Sequence, residues 1–277
     1  MSLAFGQGGA VPELPEVECT LRRIASDLTG RRILSFRSSW PRKVLPSCAE
    51  FARRVKGRAV LPPRRHGKRL LLPLSDGGVV SVHLGMSGHL EYGQGRAAEG
   101  RHRRAVFILD RGRLEFFDAR KFGRIAWHPS LDAAREGLGP DALDPALDAE
   151  AFFRQIAGGQ RPVKSALLDQ ARVAGIGNIY SDEALFGARI HPLRPAGTLS
   201  RREAATLLRC VRRVLEASIR RQGTSIDWVW PGGRMQHHLK VYGRSGQPCP
   251  RCKKAVQKIV IAGRGCHFCP ACQPFLR

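Results

Sequence analysis

The sequence predicts an α+β chain: a mainly antiparallel β-rich N-terminal part with an opening helix, then a helical part, then a small cysteine-bearing β-hairpin. Three observations carry this reading. Short apolar runs punctuated by turn residues fill the first half, a 3.6-residue apolar period takes over beyond residue 150, and two Cys-x2-Cys pairs close the chain. With 277 residues, 43% of them hydrophobic and 25% charged, the chain is long and apolar enough to be globular, as one large or two modest domains.

Residues 13–29 read as a helix, because Val17, Leu21, Ile24 and Leu28 fall on one face. Pro15 is tolerated in the first turn, Glu13, Glu16 and Glu18 favour the positive end of the helix dipole, and Gly30 ends it. Apolar runs at 69–74, 79–84, 105–109 and 114–117 read as strands, separated by turns such as Ser75-Asp76-Gly77-Gly78 and Asp110-Arg111-Gly112. A linker with Gly-Pro-Asp and Asp-Pro breakers follows at 137–149. Residues 201–222 give the clearest helix: Ala204, Leu207, Leu208, Val211, Leu215 and Ile219 form one stripe, Ser200 and Glu203 a capping box, and Gly223 the stop. No internal repeat is visible.

Lys and Arg number 47 against 23 Asp and Glu, a net charge of +24. A charge of this size spread along the chain points to a polyanionic partner, with nucleic acid favoured over an anionic membrane surface. No apolar run of about 18 residues exists and no secretory signal opens the chain, so the expectation is a cytoplasmic protein without a membrane segment. Four of the eight cysteines, Cys249, Cys252, Cys269 and Cys272, form two knuckles that bring four thiolates around one Zn²⁺. A closed four-thiolate shell is structural. An iron–sulfur cluster fits the same spacing, but zinc suits a hairpin this small. Cys19, Cys48, Cys210 and Cys266 have no evident pairing.

The string Pro12-Glu13-Leu14-Pro15-Glu16-Val17-Glu18 resembles the opening of the bacterial formamidopyrimidine-DNA glycosylases. The resemblance continues through His66-Gly67-Lys68-Arg69, His83-Leu84-Gly85-Met86-Ser87-Gly88, Asp118-Ala119-Arg120-Lys121-Phe122-Gly123, Gly175-Ile176-Gly177-Asn178-Ile179-Tyr180 and Gly263-Arg264-Gly265 with Cys269-Pro270-Ala271-Cys272-Gln273. It spans residues 12–277 in family order. Ala119 stands where the family usually has Pro, and Lys121 where it has Arg.

This resemblance implies an N-terminal antiparallel β-sandwich with a flanking helix over 12–136, a helix–two-turn–helix domain over 150–240 and a zinc-finger hairpin over 241–277. It also implies the roles. Pro12 is the nucleophile, Glu13 the general acid and base, and Lys68 and Arg264 hold the sugar-phosphate and assist elimination. His83, Met86, His102, Arg120, Phe122, Lys164 and Asn178 contact DNA. Met86, Arg120 and Phe122 fill the space left by an everted base, and Asn178 with the neighbouring Gly amides grips a phosphate. Each has an ordinary alternative: Met86 and Phe122 as core residues, Arg120 and Lys68 as solvated charges, Glu13 as a helix-start acid. A nucleophilic proline must be chain-terminal, because an internal proline nitrogen is a planar amide. GTG encodes valine but also starts bacterial genes, so the expectation is initiation at Val11, with residues 1–11 an extension or mis-called start.

The implied activity is excision of oxidised purines, formamidopyrimidines and 8-oxoguanine, from duplex DNA, followed by strand cleavage by β,δ-elimination in a monomeric enzyme with one structural zinc. The segment between Gly223 and Tyr242 is short for the family's lesion-capping loop, which implies a weaker hold on 8-oxoguanine than on formamidopyrimidines or hydantoins. Two alternatives stand beside this: an endonuclease VIII-like enzyme for oxidised pyrimidines, and a non-catalytic lesion-binding protein if residues 1–11 stay attached.

Overall fold

The computed structural model describes residues 12–95, 100–225 and 232–275. They fall into two compact units, one of residues 12–136 with 225 and 232, the other of residues 137–224 with 233–275.

The first unit is a β-sandwich. Helix α1 (Leu14–Leu28) opens it, with Pro15 in the first turn and Glu13 at the N-cap. Strand β1 (Ile33–Ser38), the two-residue β2 (Val44–Leu45) and helix α2 (Cys48–Val55) follow. Next come β3 (Arg64–His66), β4 (Arg69–Pro73), β5 (Val79–His83), β6 (Gly88–Gly93), β7 (Arg103–Leu109), β8 (Arg113–Asp118) and β9 (Arg124–His128). One sheet has the order β1-β7-β8-β6 and the other β2-β9-β5-β4-β3. All pairings are antiparallel except the short β2–β9 contact.

Both sheets bury one face in a common core: Phe36, Leu90, Phe107 and Phe116 from the first, Leu70, Leu72, Val80, Val82 and Ile125 from the second. Val17, Ile24 and Leu28 of α1 and Phe51 and Val55 of α2 join it. Burying side chains of this size stabilises by about 1.5–3 kcal/mol each. Phe36, Phe51 and Phe107 meet as tilted and edge-on pairs with ring centroids 4.4–5.9 Å apart, the close end of aromatic packing. The sequence reading located α1, β4, β5, β7 and β8. It passed over β1, β6, β9 and α2, whose apolar residues are too few or too interrupted to announce a period.

Helix α3 (Leu131–Arg135) closes the first unit, and α4 (Ala149–Ile156), α5 (Val163–Leu168), α6 (Asn178–Ala188) and α7 (Arg201–Arg220) build the second. Residues 139–142 hydrogen-bond to the α5–α6 connection, through Gly139 N–H to Gln170 O, Ala174 N–H to Pro140 O and Ala142 N–H to Ala174 O. α7 carries the expected Ser200/Glu203 capping box and buries the expected stripe. Its end differs in detail. Gln222, at φ +61°, takes the left-handed position, while Gly223 N–H reaches Ser218 O. That is the two-bond closure of a Schellman end, with the glycine one residue later than its favoured place. Strands β10 (Gln257–Ile261) and β11 (Arg264–Phe268) complete the unit as a hairpin.

Candidate active site and nucleic-acid interface

In the sandwich, the expected residues gather at one end. Pro12 and Glu13 are buried at the start of α1, Glu13 being 2% exposed. Glu13 N–H donates to Glu16 Oε2 at 2.9 Å, half of a reciprocal box that sets the direction in which α1 begins. Glu18, one turn on, accepts from Arg65 Nε at 3.0 Å, and Arg65 Nη1 donates to Gly67 O at 3.0 Å. Helix α1 is thereby tied to the β3–β4 turn. That turn has two central residues, Gly67 at φ +57° and Lys68, and the first position requires the left-handed backbone that glycine adopts without strain. Lys68 is thus held at a tight turn anchored to the helix that presents Pro12 and Glu13.

His83 ends β5 opposite Arg69 and Arg124. Burial, reinforced by Lys68, Arg69 and Arg124, pushes its imidazole down to about 4. A neutral ring fits its role, since Nδ1 accepts from Gly85 N–H at 3.1 Å. From there two loops run side by side. A Cβ on Gly85 would lie 2.6 Å from Gly123 N and 2.7 Å from Phe122 C, so only glycine allows this approach.

Asp118 binds the two loops together. Its Oδ1 accepts from Ser87 Oγ at 2.5 Å and from Arg120 N–H at 3.2 Å, and Oδ2 accepts from Gly123 N–H at 2.7 Å. Asp118 N–H also donates to His102 O at 3.0 Å. One buried carboxylate therefore sets the backbone beneath Met86, Arg120 and Phe122, and the main chain of the same residue holds His102. Phe122 is 52% exposed, an unusual state for a phenylalanine, and the Arg120 guanidinium lies 5.3 Å from its ring centroid. The reading of Phe122 as an ordinary core residue does not hold.

In the helical unit, Gln170 shapes the turn before α6: Oε1 accepts from Gly175 N–H at 3.0 Å, and Nε2 donates to Leu168 O and Ile176 O at 2.9 Å. Asn178 opens α6 and donates through Nδ2 to Gly265 O at 3.0 Å, one residue from Arg264. Asn178 and the hairpin strand that carries Arg264, read separately from the sequence, meet at this bond. Arg264 follows directly on the hairpin tip. Ala262 (φ +47°) and Gly263 (φ +73°) form the turn, and Arg264 is the first residue of β11, paired with Ile261 and exposed.

Lys164 is a correction. Expected to face DNA, it is fully buried and ion-paired with Asp182, with Ser181 Oγ at 3.4 Å. An unpaired buried ammonium would be too costly, so this charge is committed inside the domain. Sequence reasoning overlooked Asp118, Ser87 and Asp182. Ser87, Asp118 and Gln273 lay within the quoted motifs without a role being drawn from them, whereas nothing local marked Asp182. Gln273 Nε2 donates to Ile190 O at 2.9 Å and Oε1 accepts from Cys269 N–H at 2.9 Å, fastening the second knuckle to the end of α6.

The sulfurs of Cys249, Cys252, Cys269 and Cys272 all lie within 4.8 Å of one another, with Cys249–Cys272 at 3.9 Å and Cys252–Cys269 at 3.4 Å. Tetrahedral Zn–S bonds of about 2.3 Å require sulfurs about 3.8 Å apart, so the four thiols fit a single zinc ion. Cys266 is not a fifth ligand; its Sγ donates to Asp182 Oδ1 at 3.2 Å.

Comparison with known proteins agrees with this geometry. The formamidopyrimidine-DNA glycosylase N-terminal domain matches residues 11–125, the H2TH domain of that enzyme residues 138–229, and the zinc finger found in FPG and IleRS residues 246–274. The chain is 43% identical to the formamidopyrimidine-DNA glycosylase of Chloroflexus aggregans over 95% of its own length and 98% of the relative's. It is 44% identical to that of Moorella thermoacetica over 90% and 94%. The structure of Lactococcus lactis Fpg with DNA containing an abasic site superposes with a TM-score of 0.87 at 32% identity, covering 95% of this chain and all of the other. MutM bound to DNA containing carbocyclic 8-oxo-G superposes equally well, at 33% identity. Sandwich, helical unit and four-cysteine hairpin all match in order and over nearly the full length: this chain belongs to the formamidopyrimidine-DNA glycosylase family.

Proposed function

We propose that this protein is a bifunctional DNA glycosylase and apurinic-site lyase that removes oxidised purines from damaged duplex DNA, working in the cytoplasm as a monomer. The observation that carries the reading is Pro12-Glu13 at the buried start of α1, tied through Glu18 and Arg65 to the Lys68 turn. The family match beginning at residue 11 supports Pro12 as the first residue of the active chain.

As a terminal secondary amine, the Pro12 nitrogen attacks C1′ of the flipped nucleotide. The glycosidic bond breaks and its electron pair leaves with the base, which takes up a proton. The attached nitrogen gives its N–H proton to the Glu13 carboxylate, Glu13 passes that proton to the sugar O4′ as the ring opens, and the freed nitrogen lone pair closes an iminium to C1′. This cation acidifies C2′–H. Loss of that proton expels the 3′ phosphate, and a second elimination expels the 5′ phosphate. Lys68 holds the sugar-phosphate near Pro12, and Arg264 with Asn178 holds a backbone phosphate. Met86, Arg120 and Phe122 occupy the emptied stack, which offsets an unstacking cost of a few kcal/mol. Zinc, held by the four cysteines, maintains the hairpin and does no bond-making. The cap segment invoked for lesion choice includes residues 226–231, outside the described residues.

Borohydride reduction in the presence of a duplex containing formamidopyrimidine or 8-oxoguanine tests the reading. A covalent adduct is expected, its mass equal to the chain starting at Pro12 plus the cleaved DNA. No adduct, or an adduct that persists in Pro12→Ala, overturns it.

A further inference from the structure

The two-residue turn at Ala262–Gly263 makes Ile261 and Arg264 the closing hydrogen-bonded pair of the hairpin. Antiparallel pairing then alternates, so Gly265 and His267 direct their N–H and C=O groups away from β10, toward the outer edge of β11. An open strand edge of this kind needs partners. Here α6 supplies them. Asn178 Nδ2 donates to Gly265 O at 3.0 Å, and Asp182 Oδ2 accepts from His267 N–H at 2.8 Å. Asn178 and Asp182 are four residues apart on a helix, hence on one face, and their targets are two apart on a strand, hence on one edge.

Between these two bonds, Cys266 Sγ donates to Asp182 Oδ1 at 3.2 Å, and the same oxygen receives the buried Lys164 ammonium. Arg264 itself is exposed, and its backbone is held by the ladder pair with Ile261 at the start of β11. Its place is set from the neighbouring residues.

We infer that Asp182 is a positioning residue for Arg264: with Lys164 as its counter-ion it pins β11 to α6, so that the Arg264 guanidinium and the Asn178 turn face one phosphate as a single preset unit. The inference rests on the proposed role of Arg264 in strand cleavage. Asp182 touches no substrate. It fixes the strand register from which Arg264 projects, and a displacement of about 1 Å in such a group is enough to cost on the order of a hundredfold in rate.

The test uses the zinc-loaded, full-length protein. Asp182→Ala leaves Lys164 buried without its partner and risks misfolding, so the working variant is Lys164→Met with Asp182→Leu, which removes both charges together. Single-turnover δ-elimination on a duplex with a preformed abasic site is measured in this variant, in Arg264→Ala and in the combination of all three changes. The pinning variant is expected to keep one zinc per chain, exchange the His267 amide faster, and cleave roughly 10- to 100-fold more slowly. In the Arg264→Ala background the same changes are expected to cause no further loss, because their effect runs through that side chain. Additive losses overturn the inference, as do unchanged amide exchange or an unchanged cleavage rate. If Arg264→Ala alone leaves cleavage untouched, the role of Arg264 in the proposed function fails, whereas faster amide exchange in the pinning variant still identifies Asp182 as the residue that holds β11.

Discussion

The Ser87 hydroxyl donates to Asp118 Oδ1 at 2.5 Å, and this bond joins the loop that carries Met86 to the loop that carries Arg120 and Phe122. The same carboxylate takes the Arg120 and Gly123 amides. Asp118→Ala would leave buried donors without an acceptor at about 1–3 kcal/mol each. The expected outcome is a loss of about 2–4 kcal/mol in urea unfolding, together with weaker binding to an abasic-site duplex, because the loops bearing Met86, Arg120 and Phe122 lose their common anchor. Ser87→Ala should cost less, because Asp118 keeps its two backbone donors. Equal losses in the two variants would show that the carboxylate is not the hub.

His83 predicts an acid-sensitive sandwich. Its folded value, about 4, lies below the ordinary 6.5, so between these limits the unfolded chain binds more protons than the folded one. Stability is therefore complete above pH 6.5 and falls as pH drops toward 4. Unfolding midpoints measured from pH 4 to 7 should rise with pH, and His83→Gln should flatten the curve. His128 and His191, also held low by burial, leave a residual slope.

Removing zinc should unfold the hairpin selectively. Structural zinc contributes on the order of 10 kcal/mol to small four-cysteine sites, and the thiols here pack with Val241 and Val256 rather than with a large core. Chelation, or Cys269→Ala, is expected to release one zinc per chain and to abolish binding to abasic-site DNA. The melting transition of the sandwich should remain, read by circular dichroism against metal content. DNA binding that survives complete zinc loss would contradict the assignment of Arg264 to the interface.

Salt dependence separates phosphate contacts from packing contacts. Log affinity against log salt should be steep, and Arg264→Ala should lower its slope by about one. Phe122→Ala should weaken binding at every salt concentration without changing the slope, since an apolar side chain releases no counterion. Fluorescence anisotropy on an abasic-site duplex between 50 and 200 mM salt distinguishes the two behaviours.

Much of this molecule is legible in one dimension. α7 declares itself because its apolar stripe, its capping box and its Gly-bearing end all lie within 24 residues of sequence, from Ser200 to Gly223. β4, β5, β7 and β8 announce themselves through apolar runs between turns. β6 did not, because Gly88, Glu91 and Gly93 interrupt it, and its strand state comes from pairing with β8. The zinc ligands were readable because a tetrahedral four-thiolate shell imposes its own spacing on the chain.

The sequence by itself determined the order of the main elements, the four metal ligands and, through its motifs, the family. The tertiary structure alone decided which charges stay in water. Lys164 turned inward to Asp182, 18 residues away; Ser87 met Asp118 across 31 residues; and Asp182 reached His267 across 85. Periodicity and knuckle spacing are short-range consequences of backbone geometry and can be read locally. Desolvation of a charge, and the hydrogen bonds that make it tolerable, depend on what the rest of the fold brings beside it.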